Sequence, residues 1–203
     1  MRRIVILLLG TVLTGFLLGG CARRASVSSG TIIFLGDSIT AGYGLEPGEA
    51  YPALIKIKGM TTLNLGVSGS ETEDGLQRLK DYFDSGGKPQ LVVIALGAND
   101  ILQGVSPQRT EANLESAIVE CRDHDVPVMI CGIQIPGRIG TENIFKEVAD
   151  ECHVPLLPDL MQGEETRTDL LEDDDVHPNI TGQEIIAQKM QAALLRSFSF
   201  TAK

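Results

Sequence analysis

The sequence predicts an α/β protein with a mostly parallel sheet, on two observations. From residue 31 onward, short apolar runs rich in β-branched residues alternate with stretches of helical periodicity. The runs are apolar on both faces, which is typical of strands buried between helical layers. Such alternation predicts a layered α/β fold, and we expect a single domain over residues 31–203.

Five runs are predicted strands. They cover residues 31–35, 61–65, 91–96, 126–133 and 154–157. The first three are each followed by a glycine-rich polar cluster. Because the carboxyl ends of parallel strands share one edge of a sheet, we expect these clusters to meet there and to bind a ligand.

Stretches with apolar residues at steps of three and four predict the helices. They cover residues 72–84, 107–123, 141–152 and about 181–195, with a further short helix at 50–58. Ser106 followed by proline predicts the start of the second helix, and Thr141 is a candidate cap for the third. The last helix begins in a Thr181-Gly-Gln-Glu184 capping box.

Composition and charge exclude several classes of function. The 203-residue chain has a formal net charge of −10 and a pI near 4.7, which opposes binding to a phosphate backbone. Aromatic residues make up 4% of the chain and tryptophan is absent, which argues against surfaces that stack bases or sugars. We therefore expect no nucleic-acid partner.

The N-terminus has the pattern of a secretory signal over residues 1–20, with a basic start and an uncharged apolar run at 4–18. Its Leu18-Gly-Gly-Cys21 end resembles the lipobox of bacterial lipoproteins. That resemblance implies a lipid on Cys21 and attachment to the cell envelope, and Ala22 after it implies the periplasmic face of the outer membrane. An ordinary cleaved signal or a retained N-terminal anchor are the alternatives, and residues 21–30 are predicted to be a flexible tether.

Three further cysteines, Cys121, Cys131 and Cys152, allow at most one internal disulfide. Cys131 lies in an apolar run and is interpreted as a buried small hydrophobic residue, whereas a bridge between Cys121 and Cys152 stays open. No CxxC or HxxxH spacing is present. We therefore expect no metal and no cofactor.

Acyl transfer requires a nucleophile, a base, a group that orients the base, and donors for the oxyanion. Ser38 follows the first strand in a strand-to-helix turn, where its hydroxyl can project from the surface. Asp174 precedes His177 by three residues, so its carboxylate can accept from Nδ1 and leave Nε2 facing Ser38. The predicted donors are the backbone N–H groups of Ser38 and Gly66 and the side-chain amide of Asn99.

Four short blocks carry a resemblance to a known family. They are Gly36-Asp-Ser-Ile-Thr40, Asn64-Leu-Gly-Val-Ser-Gly69, Gly97-Ala-Asn-Asp100 and Asp174-Asp-Val-His-Pro178. Together, and in this order, they resemble the SGNH, or GDSL-type, hydrolases, most closely the bacterial periplasmic thioesterase, lysophospholipase and arylesterase branch. The resemblance implies a flavodoxin-like three-layer α/β/α sandwich around a five-stranded sheet, with no metal. It assigns the nucleophile, glycine, asparagine and histidine roles to Ser38, Gly66, Asn99 and His177, and the acid of the triad to Asp174.

Neighbouring residues offer alternatives for these roles. Asp173 and Asp175 compete with Asp174, and Ser68 and Ser70 are nucleophiles only if Ser38 is not. The acidic run at 172–175 is interpreted as a solvated loop rather than a cation site.

Two other pairs of residues have structural interpretations. Asp37 and Asp100 are expected to brace their loops. His124 and His153, near predicted helix ends, are assigned no catalytic role.

The predicted function is hydrolysis of acyl esters or thioesters by a serine esterase. A carbohydrate O-acetylesterase with the same machinery is the alternative, and a non-catalytic lipid-binding lipoprotein is a third hypothesis. Residues 102–106 and 136–140 are the loops expected to gate the site.

Overall fold

The computed structural model describes residues 24–135, 137, 142–164 and 166–201. Along the chain its elements are β1 (Ala25–Ser28), β2 (Gly30–Gly36), α1 (Ser38–Ala41), α2 (Tyr51–Leu54), β3 (Met60–Gly66), α3 (Thr72–Asp84), β4 (Leu91–Ala95), α4 (Ala98–Gln103), α5 (Pro107–Asp123), β5 (Val128–Cys131), α6 (Glu142–Glu151), β6 (Leu156–Leu157), α7 (Ile180–Ser197) and β7 (Phe198–Thr201). A 3₁₀ turn at Thr168–Leu170 precedes α7.

Five parallel strands form the central sheet in the order β3-β2-β4-β5-β6. The register pairs Gly36 with Gly66 on one side and with Ala95 on the other. The chain segments that leave β2, β3 and β4 therefore start at the same edge of the sheet. This register places the three polar clusters together, as the strand pattern predicts.

Two hydrophobic cores cover the faces of this sheet. Alternate residues of β2 point to opposite sides, since Ile32 and Phe34 belong to one core and Ile33 and Leu35 to the other. The first core is completed by α2 and α7, the second by α3, α5 and α6. The α/β class and the three-layer arrangement are confirmed.

The helices of the second core, α3, α5 and α6, begin and end close to their predicted bounds, whereas α7 begins differently from prediction. Helix α7 starts at Ile180, and its cap is Asn179, whose side chain accepts from the N–H of Gly182. The predicted capping box of Thr181 and Glu184 is wrong, because asparagine already satisfies this N–H one residue before the helix. The short helix α2 ends at Leu54, and Thr141 lies outside the described residues.

The predicted tether over residues 21–30 is also wrong where the structure describes it. Residues 25–28 form β1, which pairs in parallel with β7 at the other end of the chain, and β2 already begins at Gly30. Val27 is 1% exposed and packs in the same core as Phe198. The domain therefore starts before residue 31, and burial of apolar side chains from both chain ends holds the pair together.

The three cysteines of the described chain are free thiols, so the Cys121–Cys152 bridge is not formed. Burial raises the pKa of Cys121 to about 12 and that of Cys131 further, so both remain protonated. Over the described ranges, no helix has the length and apolarity needed to cross a bilayer. The same residues contain no cluster of potential metal ligands.

Candidate active site

Ser38 begins α1 one residue after β2 ends at Gly36. Asp37 caps this helix, and its Oδ1 accepts from the N–H of Ile39 at 3.0 Å. A second, buried contact braces the turn, since Thr40 Oγ1 and the Tyr51 hydroxyl lie 3.0 Å apart. Helix α1 is only four residues long, so these contacts rather than helix length fix the direction of Ser38.

His177 reaches Ser38 from the loop that precedes α7. A bridge between Leu171 and Pro178 and a hydrogen bond from the N–H of Glu172 to the carbonyl of His177 close this loop. His177 Nε2 lies 2.8 Å from Ser38 Oγ, and His177 Nδ1 lies 2.6 Å from Asp174 Oδ2. The structure thus brings together the three side chains predicted to act as nucleophile, base and orienting acid.

Asp174 is held as an ionised acceptor. Its Oδ1 accepts from the backbone N–H groups of His177 and Val176, each at 2.9 Å. These hydrogen bonds and the His177 ring lower the pKa of Asp174 to about 2. An ionised carboxylate only accepts, so Nδ1 carries the proton and the Nε2 of a neutral imidazole accepts from the Ser38 hydroxyl. The competing residues Asp173 and Asp175 make no such contact.

One face of the His177 ring is covered by Tyr43. The ring centroids are 4.5 Å apart at an interplanar angle of 35°. The side chain of His177 is 18% exposed, whereas Tyr43 is 51% exposed and forms the outer surface. The tyrosine therefore shields the imidazole from solvent, a contact that the sequence pattern does not indicate.

Behind Ser38, Asp37 is 4% exposed, and burial raises its pKa to about 6. The hydrogen bond from Ile39 and the nearby His177 ring act in the opposite direction but are smaller. Asp37 hence has the structural role predicted for it. Asp100 also braces its loop, since its carboxylate accepts from the backbone and hydroxyl of Thr72 and from the Thr110 hydroxyl.

Two of the three predicted oxyanion donors face the same cleft as the nucleophile. The N–H of Ser38 is at the first position of α1, where a helix provides no internal acceptor. Asn99, on α4, lines the cleft with Ser38 and His177. Its Nδ2 donates one hydrogen to the carbonyl of Ser70 at 2.9 Å, which orients the amide and leaves its second N–H.

The prediction that Gly66 is the third donor is wrong. Its N–H donates to Asn64 Oδ1 at 2.8 Å, so it is already satisfied. Packing explains the glycine at this position, because a Cβ here would lie 2.3 Å from the backbone nitrogen of Ala41 in α1. Gly66 thus allows β3 and α1 to approach each other closely.

Gly69 is the better candidate for this donor. Its φ of +80° belongs to the left-handed region that favours glycine, and it precedes Ser70, the residue that Asn99 contacts. Within the described chain, no acceptor is paired with the N–H of Gly69. The same short sequence block contains both Gly66 and Gly69, and its pattern does not say which of them is the donor. Their hydrogen bonds distinguish them.

Arg78 is a further residue of the site, and no sequence motif indicated it. From α3 its guanidinium donates to the carbonyls of Gly36 and Leu65, both at 2.9 Å, and to Ser70 Oγ at 3.1 Å. Ser70 is 4% exposed, so its hydroxyl is buried against Arg78 rather than available as a nucleophile.

Among the other histidines, His124 stacks on Phe83 in the second core and takes no part in the site.

The cleft at Ser38 has a volume of about 350 Å³, within the range of small-molecule sites. Most of its wall is apolar, formed by Ile39, Ala98, Leu102, Ile133, Ile135, Met161, Leu171 and Val176. Leu102 and Val176 are 52% and 57% exposed and border the opening. Of the two segments predicted to gate the site as loops, 102–106 begins within α4, and this helix rather than a loop carries Leu102 to the cleft. The other, 136–140, lies largely outside the described residues.

A serine hydroxyl, an imidazole and a carboxylate in one hydrogen-bonded chain, at the carboxyl edge of a parallel sheet, define the class of serine hydrolases. Residues 34–185 match the profile of the GDSL-like Lipase/Acylhydrolase family. The chain belongs to this family and is a hydrolase.

Its relatives are similar over most of their length. The chain is 31% identical over 178 residues to thioesterase 1/protease 1/lysophospholipase L1 of Escherichia coli strain K12, covering 83% of this chain and 85% of that protein. It is 30% identical to an arylesterase of Vibrio mimicus, over 87% and 94% of the two chains. The structure of the psychrotrophic esterase EstA from Pseudoalteromonas superposes with a TM-score of 0.76 at 26% identity, over 82% and 97% of the chains.

Proposed function

We propose that this protein is a serine esterase that hydrolyses acyl esters or thioesters through an acyl-enzyme on Ser38. The observation that carries the proposal is the unbroken hydrogen-bonded chain from Asp174 through His177 to Ser38. The names of the relatives, which include an arylesterase and a thioesterase/lysophospholipase, support the same class of substrate.

In the first half of the reaction, Ser38 Oγ attacks the acyl carbonyl carbon while its proton passes to His177 Nε2. The carbonyl oxygen becomes an oxyanion and accepts from the N–H of Ser38, the amide of Asn99 and, in our assignment, the N–H of Gly69. His177 then protonates the leaving alkoxide or thiolate as the carbon–oxygen or carbon–sulfur bond breaks. Asp174 remains ionised throughout, because the hydrogen bonds that it accepts lower its pKa to about 2, and its negative charge stabilises the imidazolium.

In the second half, water takes the place of the leaving group. His177 Nε2 accepts a proton from this water as its oxygen attacks the acyl carbon, and the proton is then returned to Ser38 Oγ. The carboxylic acid is released and the free enzyme is restored. Tyr43, which covers the imidazole on one face, limits the access of bulk water to this proton transfer.

Replacement of Ser38 by alanine tests the mechanism. Turnover of p-nitrophenyl acetate should fall by at least about 10³-fold, since the remaining groups cannot form an acyl-enzyme. Ser68→Ala is the matched control, because Ser68 is exposed on the neighbouring loop and should leave turnover unchanged. A fluorophosphonate probe should label the native protein and the control but not Ser38→Ala. Absence of labelling in the native protein would support the third hypothesis, a non-catalytic lipid-binding lipoprotein.

The apolar wall of the cleft favours acyl chains over sugar acetates. Each methylene buried against this wall adds about 0.8 kcal/mol to binding, so affinity should rise with chain length until the cleft is full. A p-nitrophenyl ester series from acetyl to palmitoyl should show kcat/KM rising beyond acetyl. A maximum at acetyl, with activity on acetylated polysaccharides, would favour the carbohydrate O-acetylesterase instead.

We also propose that the chain is anchored by a lipid on Cys21 at the periplasmic face of the outer membrane. The support is the lipobox-like sequence that ends in this cysteine, in a segment outside the described residues. The protein expressed in a bacterium should partition into the detergent phase of Triton X-114 and incorporate an alkynyl fatty acid. Both properties should disappear in Cys21→Ser, and their persistence would point to a retained apolar anchor.

A further inference from the structure

Arg78 contacts the ends of two adjacent strands and the loop that follows the second. Its Nη2 donates to the carbonyl of Gly36, at the end of β2, and its Nε donates to the carbonyl of Leu65, near the end of β3. Its Nη1 donates to Ser70 Oγ in the loop after β3. One side chain thus ties the turn that presents Ser38 to the loop that contains Gly69.

All of these acceptors are uncharged. In the part of the chain that the structure describes, no carboxylate lies within ion-pair distance of Arg78, although the residue is only partly exposed. A guanidinium carries five N–H groups that point in different directions within one plane. Arg78 can therefore donate at the same time to three oxygens from separate parts of the chain. Surface arginines such as Arg109, which pairs with Glu73, show the ordinary alternative.

The contact with Ser70 extends to the oxyanion donors. The carbonyl of Ser70 accepts from Asn99 Nδ2 at 2.9 Å, and this hydrogen bond sets the plane of the Asn99 amide. The N–H of Ser70 donates to the carbonyl of Val67 at 3.2 Å, which closes the turn around Gly69. The position of Ser70 therefore determines where both the Asn99 amide and the Gly69 N–H point.

We propose that Arg78 is a positioning residue for the oxyanion site: by holding Ser70 against the ends of β2 and β3, it fixes the Asn99 amide and the Gly69 N–H relative to Ser38. The inference rests on the proposed function, since it concerns donors to an acyl oxyanion. Arg78 does not touch the substrate, so its effect passes through Ser70. A displacement of about 1 Å in a donor costs on the order of 10²-fold in rate.

The first test is Arg78→Met, which keeps an unbranched side chain and removes every N–H. We expect kcat for p-nitrophenyl butyrate to fall about 10- to 100-fold with little change in KM, because ground-state contacts with the acyl chain remain. Arg109→Met is the matched control and should keep native kcat, since it removes only a surface ion pair. Ser70→Ala removes the Arg78–Ser70 contact alone and should also lower kcat. It provides the test if Arg78→Met does not fold.

A double-mutant cycle with Asn99→Ala separates positioning from general support of the fold. If Arg78 acts through the Asn99 amide, Arg78→Met should cost several-fold less in kcat in the Asn99→Ala background than in the native one. Affinity for a trifluoromethyl ketone, which forms a tetrahedral adduct with Ser38, should fall in parallel with kcat.

Two results would overturn the proposal. One is native kcat in folded Arg78→Met or Ser70→Ala, and the other is strictly additive losses in the cycle. Failure of the proposed function is distinguishable, because Ser38→Ala would then retain activity whatever Arg78 does.

Discussion

His177 Nε2 lies 2.8 Å from Ser38 Oγ, although 139 residues separate them along the chain. Ser38 is fixed by the turn after a buried strand, and His177 by a closed loop that leads into the last helix. The imidazole is oriented on its other side by Asp174 and covered by Tyr43. The contact with Asp174 makes the first prediction.

Asp174→Asn should lower kcat by about 10²- to 10⁴-fold. The amide can donate to Nδ1, which favours the imidazole tautomer that cannot accept from Ser38. Asp173→Asn is the matched control, since it removes an adjacent carboxylate that makes no contact with His177. Equal losses in the two variants, measured with p-nitrophenyl acetate, would show that net loop charge rather than a specific hydrogen bond is responsible.

Asn99→Ala should lower kcat by about 10²- to 10³-fold and leave KM nearly unchanged, because the amide serves an oxyanion that exists only after attack. The exposed Asn143 on α6 supplies the control, and Asn143→Ala should have native kinetics. A rise in KM without a change in kcat would instead assign Asn99 to ground-state binding.

Gly66, at the end of β3, and Gly69, in the loop that follows, should respond differently to alanine. Gly66→Ala places a Cβ against the backbone of Ala41, which must shift, and we expect a loss of more than about 2 kcal/mol in the free energy of unfolding. Gly69→Ala meets no atom within 4 Å and should cost about 1 kcal/mol through its positive φ. Urea unfolding followed by circular dichroism measures both, and the reverse order would contradict the assignment of Gly66 to packing.

Asp37 predicts a pH dependence of stability. Burial raises its folded-state pKa from the ordinary value of 3.8 to about 6, so between these values the folded state binds more protons than the unfolded state. Stability should therefore fall as pH rises through this interval, by up to about 3 kcal/mol. Asp37→Asn keeps an oxygen acceptor for the N–H of Ile39 and carries no charge, so it should remove this part of the slope.

The comparison needs unfolding curves of both proteins at pH 4 and pH 8. Relative to the native protein, Asp37→Asn should gain stability at pH 8 but not at pH 4. Asp84→Asn, which removes an exposed carboxylate at the end of α3, is the control for the loss of one negative charge. An identical slope in Asp37→Asn would mean that the carboxylate is not desolvated.

The β1–β7 pair should contribute to stability even though it lies outside the central sheet. Val27→Ala empties part of a buried position and should cost about 1 to 2 kcal/mol. Val119→Ala on α5 is the control, since Val119 is 48% exposed and should change stability by less than about 0.5 kcal/mol. A chain beginning at Gly30 should be destabilised more than Val27→Ala, because it also uncovers Phe198. Native stability of that shorter chain would restore the interpretation of these residues as a tether.

The sequence determined the class of the fold because burial and periodicity are local signals. The strands β2, β3 and β4 and the helices α3 and α5 lie within a residue or so of their predicted positions, since each carries its apolar pattern in consecutive residues. The choice of Ser38, His177 and Asp174 was likewise available from short motifs with characteristic spacing. A triad needs particular side chains at particular turns. The residues that form each turn are neighbours in sequence of the side chain that the turn positions.

Contacts between distant segments were decided by the tertiary structure alone. The pairing of β1 with β7, the packing of Gly66 against Ala41, and the Arg78 contacts depend on which segments the folded chain brings together. A buried N–H or carbonyl is satisfied by whichever group packing brings within about 3 Å, and that group is often far away in sequence. Local pattern therefore identifies the reacting side chains, whereas packing selects the groups that hold them in place.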